Sequence, residues 1–125
     1  MITIDYKSRV PIYDQITGGI IRLKTLGILK AGDKLPSVRA MAIDLGINPN
    51  TVQRAYNILE ADGVIFSVAG KGSFISDDKK ATYAILSAAK NTFKQAVEQA
   101  RQAGLDEATL KKIIDNVIKG GNEDD

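Results

Sequence analysis

The chain has no cysteine and no histidine. Without thiols it can form neither disulfides nor thiolate zinc sites, and it has no cysteine nucleophile. Without imidazoles it has no histidine to act as a general base near neutral pH. Aspartate and glutamate remain, but they are scattered over predicted helix surfaces, where carboxylates are usually solvated or paired with lysine. We therefore predict no catalytic residues, no metal site, no cofactor and no enzymatic activity.

Long apolar runs are also missing. A membrane-spanning helix needs about 20 consecutive apolar residues, and no segment of the sequence approaches that length. The first residues, Met1–Asp5, do not resemble a secretory signal peptide. We expect a cytoplasmic protein without a membrane partner.

The sequence has no strong excess of one charge. Its 17 basic and 15 acidic residues leave a net charge of +2. Residues 1–75 carry nine Lys/Arg and six Asp/Glu, a net charge of +3, whereas residues 76–125 carry eight and nine, a net charge of −1. This mild basic excess is compatible with a nucleic-acid partner but supports one only weakly. The kind of partner therefore has to be inferred from the sequence motifs.

At 125 residues the chain suits one compact domain, or a small domain with an accessory segment. Apolar residues recur on one face of a predicted first helix over residues 11–26. A second helix should begin after Ser37, a good N-cap, and end at Gly46, because glycine adopts the left-handed conformation easily. A third should begin with Asn48 as its cap and Pro49 at its first position.

The third helix has two unlike faces. Its apolar residues recur at helical spacing and should pack inward: Val52, Ala55, Tyr56 and Leu59. Its outer face carries the polar residues Asn50, Thr51, Gln53, Arg54 and Asn57. Amide and guanidinium groups form paired hydrogen bonds with adenine and guanine edges, so this face suits a helix that binds the major groove. Asn50 and Thr51 could also hold phosphate oxygens, aided by free backbone N–H groups. Taken alone, however, a polar helix face is more often merely solvated.

A β-hairpin should follow this helix. Residues 64–68 and 73–75 are strand-like, and the glycine–lysine–glycine sequence at 70–72 predicts a tight turn with a basic tip. Two helices around a glycine turn, followed by such a hairpin, form a winged helix-turn-helix. Beside a reading helix, Lys71 is placed for a phosphate or the minor groove. We predict a mainly α-helical chain with this winged domain over residues 1–76.

Residues 77–125 form the second predicted region. A long helix from about Ala81 to Ala103 and a shorter one capped by Asp106 each carry an apolar stripe, and a short acidic tail, expected to be disordered, follows. Two lone helices cannot bury their stripes, and isolated helices are marginal in water. They could fold back on the winged domain or pair with a second copy. We favour the homodimer, because a two-fold dimer presents two reading helices to a palindromic site.

Several segments spread over these elements carry a family resemblance. They are Leu-Pro-Ser-Val-Arg at 35–39, Gly-Ile-Asn-Pro-Asn-Thr-Val-Gln-Arg-Ala-Tyr at 46–56, Leu-Glu at 59–60 and Gly-Lys-Gly-Ser-Phe-Ile at 70–75. In these segments the chain resembles the DNA-binding domain of GntR-family bacterial transcription regulators. The opening Ile4-Asp5, the segment Pro11–Ile16 and the short two-helix tail resemble the YtrA-like subfamily. The motif match covers residues 2–76, and the remainder is similar in architecture only.

The resemblance implies a homodimeric regulator of its own or a neighbouring operon, often one encoding an ABC transporter, with double-stranded DNA as its partner. By motif position, the residues that would contact DNA are Arg39, Asn50, Thr51, Arg54, Lys71 and Gly72. Asn48 and Gln53, at the start and on the outer face of the third helix, complete our candidate set. Pro49 stands where other subfamilies often carry a base-reading arginine, which shifts base reading to Asn50 or Arg54. A small-molecule effector at the dimer interface is left open.

A sequence-specific DNA-binding repressor is therefore the predicted function. The alternative is a winged-helix module that binds another protein and no nucleic acid, since this fold serves both purposes. The polar outer face and the basic wing favour DNA. An enzyme is the least supported class, because no nucleophile–base pair, metal set or phosphate-binding loop appears in the sequence.

Overall fold

Three helices build the core of the first part of the chain. The computed structural model describes residues 2–120, and within them helix α1 spans Ile12–Thr25, α2 spans Val38–Leu45 and α3 spans Pro49–Ala61. Both α1 and α2 pack on α3. The side chains buried by this packing include Ile16, Ile20, Met41, Ala42, Val52, Ala55, Tyr56 and Leu59. The inward stripe predicted for the third helix is confirmed, whereas α1 is slightly shorter than predicted because Pro11 is its N-cap and not its first residue.

Local sequence signals set the ends of α2 and α3. The Ser37 hydroxyl accepts a hydrogen bond from the Ala40 N–H at 3.0 Å, and the Asn48 side-chain oxygen accepts one from the Asn50 N–H at 2.8 Å. The proline that follows Asn48 begins α3, where its missing N–H is no loss. Gly46 ends α2 with φ 68°, a left-handed conformation that costs glycine little. All four predicted signals, at Ser37, Gly46, Asn48 and Pro49, are confirmed.

A two-stranded antiparallel hairpin follows α3. Strand β1 spans Ile65–Val68 and β2 spans Gly72–Ile75. The register places Ile65 opposite Ile75, and both side chains are buried at the base of the hairpin. Packed beside α3, this hairpin is the wing of a winged helix-turn-helix, which confirms the predicted fold class.

The connector before α2 also takes part in the sheet, which the sequence did not predict. Lys34 forms an isolated antiparallel bridge with Phe74 of β2. The Leu35 N–H donates to the carbonyl oxygen of Ser73 at 2.8 Å. The connector therefore pairs with the edge of β2 that β1 leaves open, and it ties the start of α2 to the wing.

Two further helices follow the wing. Helix α4 spans Lys79–Gln102, starting slightly earlier than predicted, and α5 spans Glu107–Ile118. The Asp106 carboxylate caps α5 by accepting a hydrogen bond from the Thr109 N–H at 2.9 Å, as the sequence predicted. Of these two helices, both wholly inside the described residues, neither buries a side chain in the single chain. The predicted disorder of the acidic tail concerns residues after Gly120, which lie outside the described range.

Contacts between residues divide the chain into one compact unit that ends at Ala84 and a second that begins at Ile85, so α4 contributes to both. The domain division proposed from the sequence, between residues 76 and 77, lies before the start of α4 and stays a prediction. No helix in the described part of the chain combines the length and apolar character that a membrane span requires. Residues 2–120 also hold no cluster of three or more His, Cys, Asp or Glu side chains arranged for a metal ion.

Candidate nucleic-acid interface

The outer face of α3 is open to solvent. Asn50, Gln53, Arg54 and Asn57 are exposed on the side of the helix opposite its buried stripe. Thr51 is half-buried at the edge of this face. The outward orientation predicted from the sequence is therefore confirmed for the amide and guanidinium groups and holds only in part for Thr51. Side chains held in this way can reach base edges when a helix enters the major groove.

Arg54 rests on an aromatic ring. Its Cζ atom lies 3.9 Å from the centroid of the Tyr13 ring, which belongs to α1. This is a cation–π arrangement. Within residues 2–120 the guanidinium makes no hydrogen bond and no ion pair, so its N–H donors are available to a ligand. No local pattern in the sequence marks Tyr13 as a functional residue, because only the packing of α1 on α3 brings Tyr13 and Arg54 together.

The start of α3 offers fewer free backbone N–H groups than the sequence suggested. Pro49 has none, the Asn50 N–H donates to the Asn48 side chain at 2.8 Å, and the Thr51 N–H donates to the Asn48 carbonyl oxygen at 3.0 Å. The expectation that free N–H groups of these residues would help to hold a phosphate is therefore wrong. The side chains of Asn50 and Thr51 remain available, and so does the amide NH2 of Asn48.

Gln53 and Asn57 form a linked pair one turn apart on α3. The Gln53 Nε2 atom donates to the Asn57 Oδ1 atom at 2.8 Å. Such a pair holds both amides along the helix surface. It leaves the Gln53 oxygen as an acceptor and the Asn57 NH2 as a donor toward a base edge.

The wing carries an exposed lysine at its tip and a second lysine beside it. The turn is closed by a hydrogen bond from the Lys71 N–H to the Val68 carbonyl oxygen at 2.9 Å. Gly72 has φ 115°, a conformation that residues with a side chain rarely adopt, and a Cβ atom there would lie 2.9 Å from Cε of Lys34. Gly72 therefore lets the exposed Lys34 lie against the wing. Nothing in the local sequence marked Lys34, since its position depends on the pairing of the connector with β2.

Two polar contacts fix α2 and the wing relative to α3. The Tyr56 hydroxyl donates to the Pro36 carbonyl oxygen at 2.7 Å, just before α2. Burial raises the pKa of Tyr56 to about 12, because the ionised phenolate is poorly solvated there. The Ser67 hydroxyl on β1 donates to the Glu60 carboxylate on α3 at 2.8 Å. These bonds join α3 to its two neighbours, the segment before α2 and the wing.

One groove brings several candidates together. It runs between α3, the start of α2 and the wing, and it is lined by Lys34, Gln53, Lys71 and Gly72 among other residues. The candidates outside this groove are Arg39, Asn48, Asn50, Thr51 and Arg54. In the described part of the chain the ion pair found is Lys111–Glu107 on α5, so the cations of α2, α3 and the wing keep their charge unneutralised by a contacting carboxylate. Such cations attract DNA phosphates.

Similarity to known proteins agrees with this geometry. A model of the family "Bacterial regulatory proteins, gntR family" matches residues 12–75, which is the span from α1 to the end of β2. The chain is 40% identical, over a 130-residue alignment that covers 100% of both proteins, to the HTH-type transcriptional repressor YtrA of Bacillus subtilis.

Several solved structures are similar over most of the chain, and two of them illustrate the range. One is a transcriptional antiterminator from Listeria monocytogenes, with a TM-score of 0.76 and 36% identity over 94% of this chain and 89% of that chain. The other is YtrA from Sulfolobus acidocaldarius, a GntR-family transcription factor, with a TM-score of 0.63 and 37% identity over 81% of this chain and 97% of that one.

These similarities confirm the predicted family and its YtrA-like character, and they favour a regulator over both an enzyme and a module that binds only protein. The extent of the match, from α1 through the wing, is the extent of the winged fold itself. The chain therefore belongs to the gntR family of bacterial regulatory proteins and is a DNA-binding transcription regulator.

Proposed function

We propose that the protein is a homodimeric repressor that binds a palindromic operator and occludes the promoter of its own or a neighbouring, transporter-type operon. The observation that carries this proposal is the exposed polar face of α3 beside a basic wing. Repression is supported by the similarity to the Bacillus subtilis protein, which is named a transcriptional repressor. Such a protein acts in the cytoplasm, where the bacterial chromosome lies.

The candidate residues divide by chemistry into two groups. Asn50, Gln53 and Arg54 carry the amides and the guanidinium that pair with base edges, so they are assigned to base reading. The remaining candidates are assigned to the phosphate backbone and to the shape of the wing: Arg39, Asn48, Thr51, Lys71 and Gly72. Backbone contacts fix the register of the protein on DNA, whereas base contacts supply specificity.

The tail helices support dimerisation. Phe93 on α4 is 55% exposed, and Val117 and Ile118 on α5 are 69% and 77% exposed. Side chains of this kind rarely stay in water as a continuous stripe unless a partner covers them. Pairing with the same helices of a second copy would bury both stripes at once. A two-fold dimer would then present two copies of α3 to half-sites roughly 34 Å apart. Binding of a small-molecule effector at this interface stays a separate prediction, and repression by occlusion does not require one.

Selection of DNA by the full-length protein tests the proposal. Duplexes retained from a random-sequence library should share a palindrome, and each should bind two chains. Affinity for the selected duplex should exceed affinity for random DNA by at least about 1,000-fold at physiological salt. Transcription in vitro from a promoter that contains the palindrome should fall when the protein is added. Selected duplexes without a common sequence, or a promoter that is transcribed equally well with bound protein, would contradict the proposal.

A further inference from the structure

We propose that Tyr13 is a positioning residue for base recognition: its ring holds the Arg54 guanidinium at the outer face of α3 before DNA arrives. Because Arg54 reads a base only under the function proposed above, this inference rests on that function. It adds a residue of α1, outside the helix-turn-helix itself, to the specificity of the protein.

The geometry leaves the useful part of the guanidinium free. The Cζ atom of Arg54 lies 3.9 Å from the centre of the Tyr13 ring, so the ring contacts the guanidinium group directly. Contact through the π-face engages the flat side of a guanidinium and leaves its N–H edge open. That edge is the part that donates two hydrogen bonds to guanine O6 and N7. Within residues 2–120 no carboxylate or carbonyl oxygen competes for these donors.

The ring itself is held in place by the fold. Tyr13 lies in the first turn of α1 and is half-buried, and α1 packs on α3. The half-buried ring on α1 therefore supports an exposed side chain of α3. A flexible arginine on a bare helix surface would have no such support.

Holding Arg54 in this way should improve both affinity and discrimination. An arginine that is already ordered loses less rotamer freedom when DNA binds. Immobilising one flexible side chain lowers the binding affinity by about threefold to tenfold. The second effect concerns the wrong base. A free arginine can swing to a nearby phosphate when its base is replaced, whereas an arginine held by the ring cannot recover that energy as easily. Removing the ring should therefore flatten the preference at the base pair that Arg54 reads.

A double-mutant cycle separates positioning from simple packing. Tyr13→Leu and Tyr13→Phe are each made in the full chain, with and without Arg54→Ala. Binding is measured on the duplex selected by the wild-type protein, on its single-base variants and on random duplex. Tyr6→Leu is the matched control, because Tyr6 is an exposed tyrosine of the same unit whose hydroxyl donates to the Leu45 carbonyl oxygen and carries no arginine.

The expected pattern is specific. Tyr13→Leu should weaken binding to the selected duplex by about threefold to tenfold, reduce discrimination at one base pair of each half-site, and change binding to random duplex by less than about twofold. Tyr13→Phe should retain the wild-type affinity and base discrimination, because phenylalanine keeps the π-face. In the Arg54→Ala background, Tyr13→Leu should have little further effect. Tyr6→Leu should leave base discrimination intact.

Other outcomes would overturn the inference in distinguishable ways. A loss that is equal on all duplexes, or one that persists in the Arg54→Ala background, would make Tyr13 a packing residue or an independent DNA contact. A Tyr13→Phe protein as weak as Tyr13→Leu would assign the effect to the hydroxyl. If Arg54→Ala selectively loses affinity for the selected duplex while Tyr13→Leu is unaffected, only the role of Tyr13 is overturned. If Arg54→Ala loses affinity equally on the selected and random duplexes, the base-reading role of Arg54 is overturned as well.

Discussion

Side chains two positions apart on α3 have opposite tasks. Arg54 points to solvent over the Tyr13 ring, while Tyr56 is buried and its hydroxyl donates to the Pro36 carbonyl oxygen. The first is available to a ligand and the second joins α3 to the start of α2. A short helix can do both because its inner and outer stripes alternate with a period of 3.6 residues.

Tyr56 should give the protein a distinct response to alkaline pH. Its pKa in the folded chain is raised to about 12, above the value of about 10 for a tyrosine in an unfolded chain. The neutral hydroxyl therefore contributes stability that is fully present below about pH 10 and is lost as the pH rises through about 12. At neutral pH, Tyr56→Phe should reduce the free energy of unfolding by about 0.5–1.5 kcal/mol through the lost hydrogen bond.

Chemical denaturation of both proteins between pH 8 and 12 checks this expectation. The difference in unfolding free energy between wild type and Tyr56→Phe should shrink steadily above about pH 10. A difference that stays constant over the range would mean that the Tyr56 hydroxyl is not the buried group described here.

The sequence predicted single residues well where the cause is local. The caps Ser37, Asn48 and Asp106 and the left-handed Gly46 depend only on neighbouring residues, and all four are confirmed. The contact between Arg54 and the Tyr13 ring was not predictable in this way. It depends on how two helices cross, which no local pattern specifies.

Among helices and strands, the wing is held by contacts with its neighbours. The Glu60–Ser67 hydrogen bond ties β1 to α3, and the connector pairs with β2 through Lys34. The hairpin itself was predictable, because its turn residues and its two strand-like segments are contiguous in the sequence. The strand-like character of the connector was not, since it arises from one bridge with a distant strand.

Lys71→Ala should reveal a phosphate contact of the wing. Removing one backbone contact should weaken binding to operator and random DNA by similar factors and reduce the salt dependence by about one unit of slope. Lys112→Ala, which removes an exposed lysine from α5, is the control and should leave the slope unchanged. Titrations over a range of salt concentrations measure both quantities. A loss confined to the operator would argue instead that Lys71 reads sequence.

For the entire chain, the main unpartnered surface in the described residues is the pair of apolar stripes on α4 and α5. The sequence predicted both helices and their apolar residues, because amphipathic periodicity is a local property. It could not specify the surface on which the stripes pack. The periodicity of a helix shows which of its faces is apolar but not what that face contacts. We have proposed a second copy of the chain.

Val117→Asp tests this dimer in the full-length protein. A carboxylate in the apolar stripe that the proposed dimer would bury should convert the dimer to a monomer. Operator binding should then weaken by at least about tenfold, because each chain would bind its half-site alone. Lys112→Asp places a carboxylate on the opposite side of the same helix and should remain dimeric. Light scattering gives the oligomeric state. A wild-type protein that is already monomeric, or a Val117→Asp protein that stays dimeric, would contradict pairing through α5.

Base reading by the outer face of α3 is tested most directly by Arg54→Ala, measured on the selected operator, on each of its single-base variants and on random DNA. We expect the operator to lose about 1–3 kcal/mol of binding free energy and the preference at one base pair per half-site to disappear. Binding to random DNA should fall much less. Equal losses on the operator and on random DNA, with every base preference intact, would contradict the reading role assigned to this face of α3.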